Sequence, residues 1–175
     1  AHQGLSEQFQ SHGLDGRLER VYEALVWGAP ALPRGTVDAA LARSPNHRTK
    51  IAVTRGESGR RAVTHYEVAE RLGAVSRLRL TLETGRTHQI RVHMAHIGHP
   101  VVGDATYGTG FKTRVHKLGE AARAAVEALG RQALHAAVLG FDHPVSGRHI
   151  RLESPLPADM ARLIDELRIE LRGRR

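Results

Sequence analysis

Residues 84–108 read TGRTHQIRVHMAHIGHPVVGDATYG and combine basic, amide and imidazole side chains with a helical pattern. Gly85 indicates a turn, and Thr87 is of a residue type that caps helices, which predicts a helix from residue 89 to about residue 96. The first turn of a helix leaves backbone N–H groups unpaired at the positive end of its dipole. The stretch therefore predicts a helix whose start, flanked by Arg86 and His88, binds an anion.

The apolar residues of this helix predict which side is buried. Ile90, Met94 and Ile97 recur at helical spacing and should face the core. Arg91 lies beside this stripe, so we expect its guanidinium to be half buried and paired with an anion. From the residues alone, that partner could be Asp104 or Glu83, in a bridge with a purely structural role.

The rest of the chain predicts one domain, residues 1–175, built from strands and helices. Alternating or apolar runs predict strands at residues 18–27, 62–70, 77–82, 133–141 and 149–153, and helical spacing predicts helices at residues 5–11, 118–129 and from 157 onward. The segments 31–35 and 42–50 read as loops. The strands come in hairpin-like runs, which favours an α+β fold with a mixed, largely antiparallel sheet flanked by helices.

The composition favours an acidic polymer as partner. Lys and Arg number 26 against 18 Asp and Glu, which gives a net charge of +8. Only three of the 26 basic residues are lysines; arginine recognises phosphates and guanine bidentately, but a GC-rich genome would also favour it. The absence of cysteine excludes disulfides, thiolate zinc sites and cysteine nucleophiles, and no apolar run is long enough to span a bilayer. We expect a cytoplasmic monomer with no membrane partner.

Residues 84–108 resemble the hallmark of the RluA-like family of RNA pseudouridine synthases, which reads TGR-S/T-HQ-I/L-R-VH and continues into a GHP-GD-YG segment. The resemblance extends over nearly the whole chain. Further matches to the family's segments lie at residues 5–12, 21–26, 43–50, 62–66, 131–144 and 155–160. The segment at 43–50 favours the branch that acts on large-subunit ribosomal RNA.

The resemblance implies an isomerase that converts uridine to pseudouridine in structured RNA, with ribosomal RNA as the expected substrate and no cofactor. The target base would be flipped into a pocket. By the same resemblance, Tyr22 stacks on the base, Arg91 pairs with the catalytic aspartate, and Leu134 closes the pocket. From the residues alone, without the resemblance, Tyr22 would be interpreted as a packed strand residue and Leu134 as an ordinary core residue.

The family's nucleophilic aspartate belongs to an H-R-L-D motif followed by T-S-G, and these 175 residues contain no such segment. Residues 12–15 read HGLD, but Asp15 lacks the preceding arginine, and we interpret it as a solvated turn residue. We therefore expect a truncated catalytic domain that is inactive alone. Whether an S4-type domain precedes it stays open.

Five basic side chains are candidates for RNA contacts. Arg86 and His88 lie at the predicted helix start, whereas Arg43, Arg48 and Lys50 belong to a basic segment that could equally be a solvated loop. The histidines at 88, 93, 96 and 99 suggest a metal only weakly, since neither an HExxH pattern nor a carboxylate accompanies them. Three function classes remain: a uridine isomerase, a non-catalytic RNA-binding module derived from that fold, and the disfavoured metal hydrolase.

Overall fold

A sheet with helices packed against it organises the residues that the structure describes. The structure is a computed structural model and describes residues 2–10, 17–45, 47, 49–108 and 111–173. The strands are β1 (Glu19–Trp27), β2 (Arg34–Asp38), β3 (Leu41–Arg43), β4 (Ile51–Val53), β5 (Val63–Leu72), β6 (Val75–Leu82), β7 (Leu134–Asp142) and β8 (His149–Glu153). The helices are α1 (His2–Gln10), α2 (Gln89–His96), α3 (Phe111–Val115), α4 (Glu120–Leu129) and α5 (Ala158–Gly173).

Six strands form one sheet in the order β2-β5-β6-β1-β7-β8, and each neighbouring pair is antiparallel. In β6, Leu78, Leu80 and Leu82 are buried, whereas Arg79 and Thr81 between them are exposed. This alternation with a period of two turns one face of the strand toward the core. The predicted α+β fold with a largely antiparallel sheet flanked by helices is confirmed.

Helix α2 spans the predicted residues and is buried on more than one side. Ile90 and Met94 lie in the main core, as their spacing predicts. Val92 instead packs with Leu41 and Ala62 in a second, smaller cluster, formed together with the β3–β4 hairpin. The helix is therefore held between the main core and the hairpin, which fixes the directions of its polar side chains.

Four short elements depart from the sequence prediction. The predicted loops at 31–35 and 42–50 are wrong in part, because β2 begins within the first and β3 ends within the second, while β4 and α3 have no predicted counterpart. Val37 is the buried residue of β2, and Leu41 is that of β3. Neither segment shows the alternation that marks a strand, so pairing with β5 and β4 decides their conformation.

The carboxyl-terminal helices complete the core. Helix α4 ends at Gly130, whose φ of 60° is the left-handed conformation that glycine adopts most easily. Val126 and Leu129 of α4 are buried in the same core as Leu163 and Leu167 of α5. Among the described residues, no helix is long and apolar enough to cross a membrane.

Candidate active site

A cleft of about 290 Å³ opens where β1 and β7 meet the start of α2. Its lining residues are Tyr22, Leu82, Arg86, His88, Gln89, Ile90, Arg91, Gln132 and Leu134. The three predicted catalytic residues and two of the five predicted RNA-binding residues therefore line one cleft, although they lie far apart in the chain.

Tyr22 reaches this cleft from β1, opposite an irregular point of β7. The pairing of β1 with β7 shifts register between Val21 and Tyr22, because Ala137 of β7 is an extra residue between their partners Val138 and Ala136. Tyr22 then pairs with Ala136, and Ala24 pairs with Leu134. Because Tyr22 and Ala24 are two residues apart, Tyr22 and Leu134 lie on the same side of the sheet. An aromatic ring and an apolar side chain thus form neighbouring parts of the cleft wall.

Arg91 forms a bidentate ion pair with Asp104, not with Glu83. Its Nε and Nη2 donate to the two carboxylate oxygens at 2.7 and 2.8 Å, while Glu83 accepts from Arg61 and His65. The Arg91 side chain is 13% exposed and that of Asp104 is fully buried. The third guanidinium nitrogen, Nη1, makes no hydrogen bond among the described residues and remains available to another anion.

Asp104 is held as a carboxylate by several donors. Burial alone would raise its pKa, but hydrogen bonds from Arg91 and from the backbone amides of Tyr107 and Thr106 leave that pKa below its usual range. The same contact raises the pKa of Arg91. The pair is therefore charged at neutral pH and fixes the guanidinium plane at the edge of the cleft.

The turn before α2 rests on a buried arginine that sequence reasoning missed. Arg20 is 7% exposed, and its Nη2 donates to the carbonyl oxygen of Glu83 at 2.9 Å. A Cβ atom at Gly85 would overlap Nη1 of Arg20, so a larger residue there would require the end of the Arg20 side chain to move. Nothing in the pattern of β1 distinguishes Arg20 from a solvated strand residue.

The start of α2 differs from the prediction. The residue at the N-cap is His88, with φ 56° and ψ 17°, and Thr87 therefore does not cap the helix. Instead, Oε1 of the Gln89 side chain accepts a hydrogen bond from the backbone N–H of Arg86, with an N···O distance of 3.0 Å. Thr84 and Thr64 complete this arrangement, because Gln89 accepts from the hydroxyl of Thr84 and donates to that of Thr64.

His93 extends this buried network toward the β2–β3 connection. Its Nε2 lies 2.9 Å from the carbonyl oxygen of Ala39 and must donate to it, so Nδ1 accepts from the hydroxyl of Thr64 at 2.9 Å. Burial is the main cause that lowers the pKa of His93, which keeps the ring neutral. Both nitrogens therefore serve the fold. Among the described residues, no three His, Asp or Glu side chains are grouped so that they could hold a metal ion.

Of the other basic candidates, Arg43 lines a second cavity of about 320 Å³. Arg43, Arg60 and Arg86 line it, so Arg86 borders both cavities. Burial and the charge of Arg60 lower the pKa of Arg86, a sign that bound anions would be favourable here. Lys50 is partly buried and donates to the carbonyl oxygen of Thr106 at 3.1 Å. Arg48 lies outside the described residues, as does Asp15.

Comparison with known proteins gives the family of this chain. A family model described as RNA pseudouridylate synthase matches residues 1–96, which is more than half of the chain. The chain belongs to the RNA pseudouridylate synthase family. The resemblance noted in residues 84–108, to its RluA-like members, is thereby confirmed.

Relatives from bacteria carry the names of ribosomal RNA enzymes. The ribosomal large subunit pseudouridine synthase D of Zymomonas mobilis subsp. mobilis is 45% identical over 173 residues, which are 99% of this chain and 51% of that protein. The protein of the same name from Pseudomonas aeruginosa is 45% identical over 175 residues, 96% of this chain and 50% of the relative. The chain thus spans about half the length of the curated relatives it matches.

Solved structures share the fold. The structure of human RNA pseudouridylate synthase domain containing 1 superimposes on this chain with a TM-score of 0.67 at 25% sequence identity. The match covers 95% of this chain and 70% of the human one. The human RNA pseudouridylate synthase domain containing 4 has a TM-score of 0.71 at 22% identity, covering 95% and 67%. The antiparallel sheet with its flanking helices is therefore the fold of pseudouridylate synthase domains.

Proposed function

We propose that this chain supplies most of the catalytic cleft of an RNA pseudouridine synthase that acts on large-subunit ribosomal RNA. The observation that carries the proposal is the single cleft in which Tyr22, Arg91 and Leu134 meet. The reaction breaks the bond between N1 of uracil and C1′ of the ribose, and it joins C5 to C1′. The proton on C5 is lost and one is gained at N1, so no cofactor or energy source is required.

Each of the three residues has a role that its surroundings support. Tyr22 offers a ring on which a flipped uracil can stack, and Leu134 beside it provides an apolar wall. Arg91 is held in place by Asp104 through Nε and Nη2, which leaves Nη1 free to pair with a nucleophilic aspartate. That aspartate would come from an H-R-L-D segment, which the 175 residues do not contain.

The RNA backbone is proposed to follow the basic residues beside this cleft. Arg86 borders it, and Arg43 lines the adjoining cavity, while His88, a further proposed RNA contact, lies in the wall of the cleft itself. Arg48 and Lys50 are assigned to the same track from the sequence. A net charge of +8 agrees with an RNA partner, and the proposed protein is a cytoplasmic monomer.

The test compares residues 1–175 with the full-length gene product. We expect no release of tritium from C5-labelled ribosomal RNA by residues 1–175, because the nucleophile is missing, and release by a protein that includes an H-R-L-D segment. Both proteins should bind the RNA. Turnover by residues 1–175 alone would contradict the assignment of the nucleophile. RNA binding by the full-length protein without turnover would favour the alternative, a non-catalytic RNA-binding module.

A further inference from the structure

His88 has an unusual backbone conformation that its side chain does not explain by itself. Among the described residues, it is the one non-glycine residue with a positive φ, at 56°. This left-handed conformation is uncommon for residues other than glycine, although histidine adopts it more often than most. Together with its position in the wall of the cleft, it makes the imidazole a candidate for contact with a bound base.

Tyr107 determines which nitrogen of His88 carries the proton. The backbone N–H of Ile51 donates to the hydroxyl oxygen of Tyr107 at 3.0 Å, and that oxygen lies 2.9 Å from Nδ1 of His88. Among the described residues, Nδ1 of His88 is the one acceptor that this hydroxyl contacts, so we assign the hydroxyl proton to that contact. The guanidinium of Arg91 lies 4.9 Å from the centre of the Tyr107 ring, and a nearby cation makes the phenol a better donor. Nδ1 of His88 therefore accepts, and the ring proton is on Nε2.

The surroundings also favour the uncharged form of this imidazole. Partial desolvation of the exposed side chain and the positive charge of Arg91 lower the pKa of His88, and the carboxylate of Asp104 only partly opposes them. A second ring proton would lie on Nδ1, facing the hydroxyl proton of Tyr107. The positive charge at this part of the cleft comes from Arg86 and Arg91 instead.

We propose that His88 donates a hydrogen bond from Nε2 to a carbonyl oxygen of the target uracil and thereby helps to select that base. The proposal rests on the proposed function and adds a specificity role. A neutral donor has no advantage over Arg86 for a phosphate, but it suits an uncharged carbonyl. Nε2 makes no hydrogen bond among the described residues. Tyr22, the proposed stacking residue, lines the same cleft, so one base can meet both side chains.

Uracil and cytosine differ in a way that this donor can read. Uracil carries carbonyl oxygens at positions 2 and 4, whereas cytosine has an amino group at position 4 that cannot accept. A donor with a fixed tautomer opposite O4 would exclude cytosine, and a donor opposite O2 would orient the base without excluding it. Thiouridines distinguish these two arrangements because sulfur is a weak acceptor.

The tautomer can be measured without RNA. Nitrogen-15 spectra of the imidazoles in the full-length protein at pH 7.5 should show His88 neutral with its proton on Nε2. In Tyr107→Phe the hydroxyl is lost, so we expect a mixture of tautomers, while Tyr66→Phe, which removes the hydroxyl of another tyrosine, should leave His88 unchanged. A protonated ring, or a proton on Nδ1 in the parent, would overturn the proposal.

The second test measures binding and single-turnover conversion by the full-length protein with a short RNA. His88→Ala should slow conversion roughly tenfold, as expected for loss of one hydrogen bond. His88→Asn tolerates the left-handed backbone and controls for folding, together with thermal melts. The salt dependence of RNA affinity should stay the same in His88→Ala, whereas Arg86→Ala should lower the slope by about one.

Substituted RNA identifies the acceptor. Either 2-thiouridine or 4-thiouridine at the target should slow the parent, with no further loss in His88→Ala. A reduced salt slope in His88→Ala would mean that His88 contacts a phosphate. If the thiouridine substitution and His88→Ala each slowed conversion independently, His88 would not touch the base. Either result would refute the proposal. A parent that neither binds nor converts unmodified RNA would refute the proposed function, and with it the role of His88.

Discussion

Arg91 is a cleft residue whose side chain is held by the fold and keeps one nitrogen for the proposed chemistry. Two of its nitrogens bond to Asp104, which comes 13 residues later in the sequence, and the third makes no hydrogen bond among the described residues. His88 is similar, since one ring nitrogen faces Tyr107 and the other is unoccupied among the described residues. At the scale of the residue, each candidate group is oriented by a partner that the fold brings to it.

Asp104→Asn tests the structural half of this arrangement. The variant would leave the partly buried Arg91 without its carboxylate, and we expect a loss of roughly 3–5 kcal/mol in the free energy of unfolding by denaturant. Asp165→Asn is the matched control, because Asp165 is 66% exposed in its pair with Arg168, and there we expect less than about 1 kcal/mol.

The pH dependence of stability follows from the same pair. Since the pKa of Asp104 is lower in the folded chain than its ordinary value, its stabilising contribution is complete above that ordinary value and is lost as the pH falls toward the folded pKa. The parent should therefore lose more stability than Asp104→Asn between pH 5 and pH 3, about where carboxylates titrate. Equal losses in both proteins would contradict the ion pair.

Tyr22 and Arg91 can be tested for chemistry in the full-length protein. Tyr22→Phe keeps the stacking ring and should retain detectable conversion, whereas Tyr22→Ala should lose it. Arg91→Lys keeps the charge but not the planar fork, and we expect at least about a tenfold loss in rate with RNA affinity nearly intact. The measurement is single-turnover conversion on saturating RNA, with thermal melts as control. Parent-like rates in Tyr22→Ala and Arg91→Lys would leave both residues with purely structural roles.

At the scale of the secondary-structure element, the side-chain amide of Gln89 connects helix α2 and the turn before it to the sheet. Gln89 is 2% exposed and bonds to Val63, Thr64, Thr84 and the backbone of Arg86. A helix that is buried on two sides cannot be positioned by a single apolar stripe. The polar network therefore specifies where the helix starts and where Arg86 and His88 are presented.

Gln89→Leu and Thr87→Ala separate this network from ordinary helix capping. Gln89→Leu would leave several buried groups unpaired, so we expect a loss of at least about 3 kcal/mol in denaturant unfolding. Thr87 does not cap α2, so Thr87→Ala should change stability by less than about 0.5 kcal/mol, below the roughly 1 kcal/mol typical of a lost cap. The opposite order of effects would restore Thr87 as the cap.

At the scale of the whole molecule, the excess of arginine should make RNA binding strongly dependent on salt. Each phosphate that the protein neutralises releases condensed counterions, so affinity should fall steeply as salt rises. Arg86→Ala should weaken binding more than Arg172→Ala, because Arg86 borders both cavities while Arg172 lies exposed in the last turn of α5. A flat salt profile measured by filter binding, or equal effects of the two variants, would remove the proposed backbone track.

The sequence by itself determined the α+β class, the major strands and helices, and the family. These depend on local periodicity and on motifs that are continuous in the chain, as the alternating leucines of β6 and the residues 84–108 show. It also placed Tyr22, Arg91 and Leu134 among the candidates, through the resemblance, before any contact between them was known.

Only the tertiary structure decided how these residues are held. The choice of Asp104 over Glu83 as the partner of Arg91, the hydrogen bond from Arg20 to the carbonyl oxygen of Glu83 and the contact of His88 with Tyr107 all depend on contacts between distant segments. The short strands β2 and β3 likewise form because neighbouring strands pair with them. Local patterns carry the energetic preferences of adjacent residues, whereas burial, ion pairing and hydrogen-bond partners arise only when the chain has closed on itself.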